Sequence, residues 1–421
     1  MRIGKMVFRI IAGIILFPVI LISLLLIYWD LRKPPAYNYN PLLQFNSYII
    51  TTSDDPLKRH NSNTDLIYYG GYFYCIHAQT KWHLYDDNGC LLIKRSKDAK
   101  TWEDVAKLVV TGKDVRDPKF AIIKKNLFVY FLINEKFDPS PHTTYWTFTQ
   151  DGLHWSIPKE LTTISVNHRT RAGMQKVMQG GWNLWRPKTK DNAVWYVIAS
   201  GEKPLLLPTG QPSHTDVSTI TVLLSSTDGV LWQEVSEVYT PYGNGEPELE
   251  FLPDGSIIAT LRCGSLGTGG YEFGNPTGNT IIAIAEKPYV KWCYAHSFIT
   301  RLDGGTLFSI KGRIFAAGRN HLGPRSDLGN HVAIKRTTIY EVLPDKLIHL
   351  FDLPSNGDTA YTGVVVKDGM VYVSYYTSPI EKDYPWIIGI CFKTKTDVRM
   401  ATFTTEGLLK VADAKRSTLL K

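Results

Sequence analysis

The sequence predicts an all-β protein, a six-bladed β-propeller preceded by one apolar helix. A turn phrase occurs three times, strand-like modules punctuated by turn residues fill most of the chain, and an uncharged apolar stretch lies near the N-terminus. The phrase reads SKDAKTW at Ser96 to Trp102, TQDGLHW at Thr149 to Trp155 and STDGVLW at Ser226 to Trp232. Each copy has a hydroxyl residue, an aspartate two places on, a small residue next and a closing tryptophan. One copy is an ordinary β-turn signal. Three copies joined by strand-like sequence mark repeated β-modules.

The apolar stretch runs from Ile10 to Trp29, about twenty uncharged residues, long enough to cross a bilayer core at ~1.5 Å per residue. Arg2, Lys5 and Arg9 precede it, and Asp30, Arg32 and Lys33 follow. The positive-inside bias then places residues 1–9 in the cytoplasm and exports the body. No small-x-small cleavage site follows, so the stretch reads as a membrane anchor, with the lipid bilayer as its partner. Pro, Asn and Tyr are frequent after it, so residues 30–55 read as a linker.

From residue 56 to 421 the chain divides into six stretches of roughly 45 to 75 residues. The first holds LIYYGGYFYCIHA, the second DPKFAIIKKNLFVYFLI, the third NLWRPKTKDNAVWYVIAS and TITVLLSS. LEFLPDGSIIATLRC marks the fourth, GTLFSIKGRIFAAGRNH the fifth and GDTAYTGVVVKDGMVYVSYYTS the sixth. Four of them place two strands around a turn such as PDG or KDG, which is hairpin chemistry. A small twisted sheet cannot bury both faces alone, and stacking six in a ring covers them.

Composition fits this reading. In 421 residues, 12% are aromatic, with 33 Gly and 23 Pro, as many short strands and turns require. Helical periodicity is almost absent after the first thirty residues. The net charge of +8 is spread along the chain without a basic run, so no nucleic-acid partner is expected. Five cysteines lack the spacing of a zinc site or a disulfide scaffold, and read as small apolar strand residues. Cys75 with Cys90, or Cys263 with Cys293, could pair in an oxidising compartment. The chain has no Asn-x-Ser/Thr acceptor, which favours a bacterial envelope over a secretory lumen. His60, His77 and His83 lack helical metal-ligand spacing, and neither a metal nor an organic cofactor is expected.

The repeated turn resembles the Asp-box of sialidase-type β-propellers. TDLIYYGGYFYC, VRDPKF, NLWRPK, EPELEFLPDGSIIATLR, IFAAGRNH and DTAYTGVVVKDGMVYVSYYTS are similar, in order, to landmarks of the bacterial exo-α-sialidase-like propeller family. The resemblance implies a retaining glycosidase acting on an acidic, sialic-acid-type terminal sugar. In that family a neutral tyrosine, activated by a glutamate, replaces the usual carboxylate nucleophile, because the substrate's own carboxylate would repel an anion. Three arginines hold that carboxylate by paired hydrogen bonds, and an aspartate serves as acid.

Carried over by position, Tyr361 in DTAYTG falls at the nucleophile and Glu246 in GNGEPE at the activating glutamate, with Glu248 close by. Arg262 and Arg319 each end an apolar strand, in IIATLR and IFAAGR, and fall at two of the three arginines. Arg59, Arg116 and Arg186 compete for the third place. Asp87, beside Asp86 in YDDNG, is the expected acid, with His83 nearby, although YDDNG is also a good β-turn. The phrase CIHAQ stands where sialidase-like relatives carry Arg-Glu-Gly, which removes two charges from the expected site.

Two other readings stay open. Arg116-Asp117-Pro118 resembles the Arg-Asp-Pro phrase of five-bladed furanosidases. There Asp117 would stabilise the transition state, Glu246 or Glu248 would be the acid, and a nucleophilic aspartate such as Asp65 would come from the first module. Alternatively the chain is a propeller that binds acidic glycans or protein partners without turnover, with Trp82, Trp182 and Trp185 as stacking surfaces.

Overall fold

The computed structural model describes residues 2–31, 37, 39–135, 138–170, 173–206, 212–240, 244–263, 279–322, 333–382, 384–392 and 394–419. Helix α1, Arg2–Leu31, contains an apolar span from Ala12 to Leu31 with none of it buried against the protein. Strand β1, Asn46–Thr51, follows. The linker expected over 30–55 is therefore corrected: its second half is a strand of the ring, and of its first half residues 32–36 and 38 lie outside the described set.

Six sheets follow. The first holds β2 His60–Tyr69, β3 Tyr72–Thr80, β4 Cys90–Ser96 and β5 Glu103–Leu108. The second holds β6 Asp114–Ile123, β7 Asn126–Glu135, β8 Asp138–Thr149 and β9 Lys159–Glu160. The third is built from β10 Ile164–Thr170, β11 Gly173–Met178, β12 Asn183–Leu184, β13 Lys188–Thr189, β14 Trp195–Leu206, β15 Pro212–Ser226 and β16 Trp232–Tyr239. The fourth holds β17 Asn244–Phe251, β18 Ile257–Cys263, β19 Asn279–Ala285 and β20 Cys293–Ser297, and the fifth β21 Asp303–Ile310, β22 Arg313–Leu322, β23 Ile334–Val342 and β24 Leu347–Leu353. The last is ordered β1-β27-β26-β25, with β25 Thr359–Lys367, β26 Met370–Thr377 and β27 Asp397–Thr404.

The protein is thus an all-β propeller, but the expectation of six blades is corrected to five, each a four-stranded sheet. The third module departs because its outer strand β16 pairs in parallel with β10, which adds the β10–β11 hairpin to the sheet edge. Helical structure also returns where periodicity gave little sign of it. Helix α2 spans Trp386–Cys391, and α3, Thr405–Leu419, buries Leu408, Val411 and Ala412.

The strand sequences explain the stacking. In β7 every residue from Leu127 to Ile133 is buried, which is why NLFVYFLI reads as an unbroken apolar run. Alternate side chains point to opposite faces. Leu127, Val129, Phe131 and Ile133 pack with the first sheet's Ile76 and Leu91, whereas Phe128 and Tyr130 pack with Trp182, Trp195 and Trp232 of the third. Each consecutive pair of sheets shares such a cluster, and the sixth meets the first through Val365, Tyr376, Met400, Leu66 and Phe73.

The repeated turns have one geometry. A single oxygen of Asp98 accepts the amides of Lys100 and Thr101, each at 2.8 Å, while Ser96 donates to it at 2.9 Å. Asp151 and Asp228 do the same for Leu153 with His154 and for Val230 with Leu231. A fourth copy, TKDNAVW at Thr189 to Trp195, went unread in the sequence although its spacing is identical. Asp191 accepts the amides of Ala193 at 2.9 Å and Val194 at 3.2 Å.

Candidate functional site

The site is built at one recurring irregularity. In the first, second, fourth, fifth and sixth sheets the innermost strand carries one residue more than its partner, between Ser62 and Asp65, Arg116 and Lys119, Gly245 and Glu248, Asp303 and Thr306, and Ala360 and Gly363. Within these bulges Asn63, Asp117, Glu246, Gly304 and Tyr361 have φ of +54°, +47°, +44°, +58° and +46°. In the third sheet the pairs Leu184–Ala199 and Lys188–Tyr196 leave the same single excess at Trp185 to Pro187. Bulges re-aim side chains, and a left-handed non-glycine residue costs about 1–3 kcal/mol, a strain that clusters at functional sites. Gly304 fits because a Cβ there would stand 2.6 Å from the Tyr361 ring.

Four predicted residues meet here. The Tyr361 hydroxyl donates to Oε1 of Glu246, and the Arg262 guanidinium donates to the same oxygen. The amide of Gly304 donates to the second oxygen, Oε2, at 2.6 Å, so the fifth sheet fixes the carboxylate's orientation. The Arg319 guanidinium lies 5.2 Å from the Tyr361 ring centroid. Burial holds the Tyr361 phenol well above the usual tyrosine range, reinforced by the charges of Glu246 and Asp117 and opposed by Arg319 and Arg262. A neutral phenol hydrogen-bonded to a carboxylate is the result.

The other predicted residues are placed differently. Asp87 is exposed in the YDDNG turn, where the Asn88 side-chain amide donates to it at 2.8 Å, and Asp86 is buried accepting the amides of Lys81 and Asn88. Both serve the turn. Besides Glu246, the carboxylate whose charge acts on Tyr361 is Asp117, which also acts on Tyr376 and accepts a hydrogen bond from the Asn63 side chain. Arg59 is exposed and contributes only a carbonyl to Thr396. Arg116 is tied to Asp114 at 2.5 Å and to the Leu84 carbonyl.

Arg186 is a structural cross-brace and not an open binding group. It pairs with Asp65 at 2.8 Å and with Glu248, and reaches the Thr362 carbonyl at 3.3 Å, so one guanidinium ties the first, third, fourth and sixth sheets. Its side chain is 10% exposed and those of Asp65 and Glu248 are 0% and 1%. Glu248, the rival of Glu246, belongs to this brace, with Lys188 at 3.2 Å.

His83 bonds through Nδ1 to Asp358 at 2.7 Å, and His60 through Nε2 to the same oxygen at 3.0 Å. The ligand atoms of His60, His83 and Asp358 lie within 4.8 Å of one another, a grouping that their separation in sequence concealed. Although burial opposes ionisation of Asp358, the two imidazoles hold it well below the usual carboxylate range. Tyr376 donates to Asp358 at 2.8 Å and Trp386 at 3.2 Å, and Arg319 stands 3.7 Å away. Arg319 is itself engaged with the Thr359 carbonyl at 2.7 Å, Tyr376 at 3.1 Å and Asp303 at 3.2 Å. Asp303, Asp358, Tyr376 and Trp386 were missed in the sequence. The readable signal was position alone: Asp303 opens the fifth bulge phrase, and Asp358 stands three residues before Tyr361.

All five cysteines are free, so neither suggested pair forms. Trp182 and Trp185 are buried, leaving no face for a sugar.

No family model matches the chain, and no curated protein matches it. Solved structures do. A Dyadobacter fermentans protein of unknown function is similar over 87% of this chain and 100% of its own, with a TM-score of 0.61 at 14% identity. Trypanosoma rangeli sialidase in complex with sialic acid is similar over 91% of this chain and 61% of its own, with a TM-score of 0.58 at 11% identity. Penicillium chrysogenum alpha-L-arabinanase complexed with arabinobiose is similar over 86% and 98%, with a TM-score of 0.51 at 13% identity. The chain spans about three fifths of the trypanosomal sialidase. At these identities the likeness shows the fold alone: a β-propeller, the architecture these solved structures share.

Proposed function

We propose that the chain is a membrane-anchored, sialidase-like glycoside hydrolase acting on an acidic terminal sugar with retention of configuration. In this reading the third sheet counts as a sixth blade carrying an extra hairpin, the four aspartate-capped turns are Asp-boxes, and α1 holds the propeller on the outer face of a bacterial membrane. The observation that carries it is the phenol of Tyr361 donating to Glu246, with Arg262 on the same carboxylate oxygen. Glu246 takes the phenol proton as the oxygen attacks the anomeric carbon, so the nucleophile stays uncharged until the bond forms. Asp117, in place of the expected Asp87, gives its proton to the leaving oxygen. Arg262 and Arg319 supply the field that holds the substrate carboxylate.

The test is Tyr361→Phe assayed on a fluorogenic α-sialoside. Release of the sugar falls by at least ~10³-fold, as expected for loss of an attacking group, while the melting temperature stays within a few degrees. Unchanged turnover rules out the assignment.

One observation favours a second reading, a propeller that binds acidic glycans without hydrolysis. Arg319 is only 4% exposed and already engaged by Asp303, and Arg59, Arg116 and Arg186 leave the third arginine place unfilled. Glycan-array binding by the Tyr361→Phe variant, with no turnover by either form, supports it. Against a furanosidase stands Asp65, which is buried in the pair with Arg186.

A further inference from the structure

We infer that the candidate site faces the bilayer surface and takes its acidic sugar from the headgroup of a membrane lipid. This rests on the anchor and hydrolase reading above. The apolar span of α1 ends at Leu31, and its twenty residues at ~1.5 Å each match a bilayer core of ~30 Å. Asp30 therefore sits at the edge of the hydrocarbon. Tyr28 and Trp29 pack edge-on beside it with ring centroids 5.1 Å apart, an interfacial aromatic pair.

Asp30 is not followed by a free leash. The Tyr384 hydroxyl donates to its carboxylate, and the Lys382 ammonium donates to its carbonyl at 3.1 Å. Tyr37 then lies under the Arg336 guanidinium, 4.7 Å from its ring centroid, and donates to the Ile380 carbonyl at 3.4 Å. The end of the span is thereby fixed to Ile380, Lys382 and Tyr384, the last of which stands two residues before α2 begins.

That helix and the residue after it read WIIGICF, from Trp386 to Phe392. A short apolar element beside the end of a membrane span is suited to lie in the headgroup region. Phe392 is 49% exposed, which fits a side chain whose solvent is lipid. At the other end of the same helix, Trp386 touches the site: its ring is 5.9 Å from the Arg319 guanidinium and 5.9 Å from the His83 ring. Arg319 in turn faces Tyr361. A connected path thus runs from Asp30 at the membrane edge to Tyr384, two residues along the chain to Trp386, and through Arg319 to the Tyr361 ring. A sugar presented by a lipid meets this rim, whereas a soluble oligosaccharide gains nothing from it.

The experiment uses the full chain reconstituted in phosphatidylcholine vesicles. One arm compares turnover of sialyllactosylceramide in those vesicles with free sialyllactose, for the native chain and for Phe392→Glu. Expected is at least a tenfold preference for the lipid-borne sugar, with Phe392→Glu lowering that turnover at least fivefold and leaving free sialyllactose unchanged. Equal use of both sugars, or an equal effect of Phe392→Glu on both, overturns the inference while the hydrolase reading stands. If neither sugar is cleaved, the hydrolase reading fails and the second arm decides. There Phe392→Cys carries a nitroxide, with the exposed Cys293 and half-buried Cys391 changed to Ser and the buried Cys75, Cys90 and Cys263 kept. Relaxation dominated by oxygen supports membrane contact at residue 392. Relaxation dominated by a water-soluble nickel chelate overturns it.

Discussion

Replacing Arg186 by Met separates the two roles that this arginine could have. The guanidinium pairs with Asp65 and Glu248, both buried, and its removal leaves two carboxylates whose remaining charge partners are Lys188, 3.2 Å from Glu248, and the buried Lys119, on which both act. The Phe120 amide still donates to Asp65 at 2.6 Å, a partial compensation. Breaking a buried ion pair by deleting one partner costs about 3–5 kcal/mol, because the other charge stays behind without compensation. With an unfolding entropy of roughly 2.1 cal/mol/K per residue over about 370 propeller residues, a loss of about 4 kcal/mol lowers the melting temperature by ~5 °C. Differential scanning calorimetry at pH 7 reads the shift. A double change with Asp65→Asn recovers part of it, since the uncompensated charge is then gone. If Arg186→Met instead melts within 1 °C of the native chain while KM for an acidic sugar rises tenfold, the guanidinium serves substrate and the cross-brace argument is wrong.

Asp117→Asn lowers kcat about 10²–10⁴-fold on a substrate with a poor leaving group and far less on an aryl glycoside, whereas Asp87→Asn stays within about twofold on both; steady-state kinetics on the two substrate types check this. His77 is fully buried with Nε2 unpartnered, and burial pulls its pKa from the ordinary 6.5 down to about 4. The unfolded chain therefore takes up a proton that the folded chain refuses, and stability falls as pH drops from about 6.5 to about 4, by as much as ~3 kcal/mol. Urea titrations across that window show a shallower fall for His77→Leu, and parallel curves would contradict the argument. Gly363→Ala places a Cβ 2.0 Å from the Leu66 amide nitrogen and 2.5 Å from the Asp65 carbonyl carbon. The backbone must separate the sixth sheet from the first, with a loss of about 3 kcal/mol or more visible in the same titrations.

The ring was legible because its signals are local. A hydroxyl residue, an aspartate and a tryptophan at fixed spacing create the same capped turn wherever they stand, and TKDNAVW was overlooked only because its small residue is Asn192 followed by Ala193. Tyr361, Glu246, Arg262 and Arg319 were legible through a family likeness, and the structure supplies the physical reason for two of them: they are the bulged positions of their strands. Asp87 stands apart from them for the converse reason: YDDNG advertises carboxylates, but a turn consumes them, whereas Asp117, read in the sequence only through the Arg-Asp-Pro phrase, lies in RDPK, one of six short phrases that occupy equivalent bulges. The grouping of His60 and His83 around Asp358 joins residues 298 and 275 positions apart, and no spacing rule detects such a meeting. The added β10–β11 hairpin was equally silent, since its strand Gly173–Met178 is largely exposed and carries no core pattern.

Strand β1 completes the sheet that also contains the last strand of the chain, β27, with Asn46 opposite Thr402 and Tyr48 opposite Met400. The circle is consequently sealed by a clasp whose two halves are the earliest and nearly the latest parts of the propeller to leave the ribosome. Until Thr404 has emerged, β1 has no neighbour, and the exposed edge needs shelter from other chains. A load applied through α1 first strains the contacts of Asp30 with Tyr384 and Lys382 and of Tyr37 with Arg336, and once these part, mechanical pulling on the anchor should unfasten the circle at β1 before any other sheet yields.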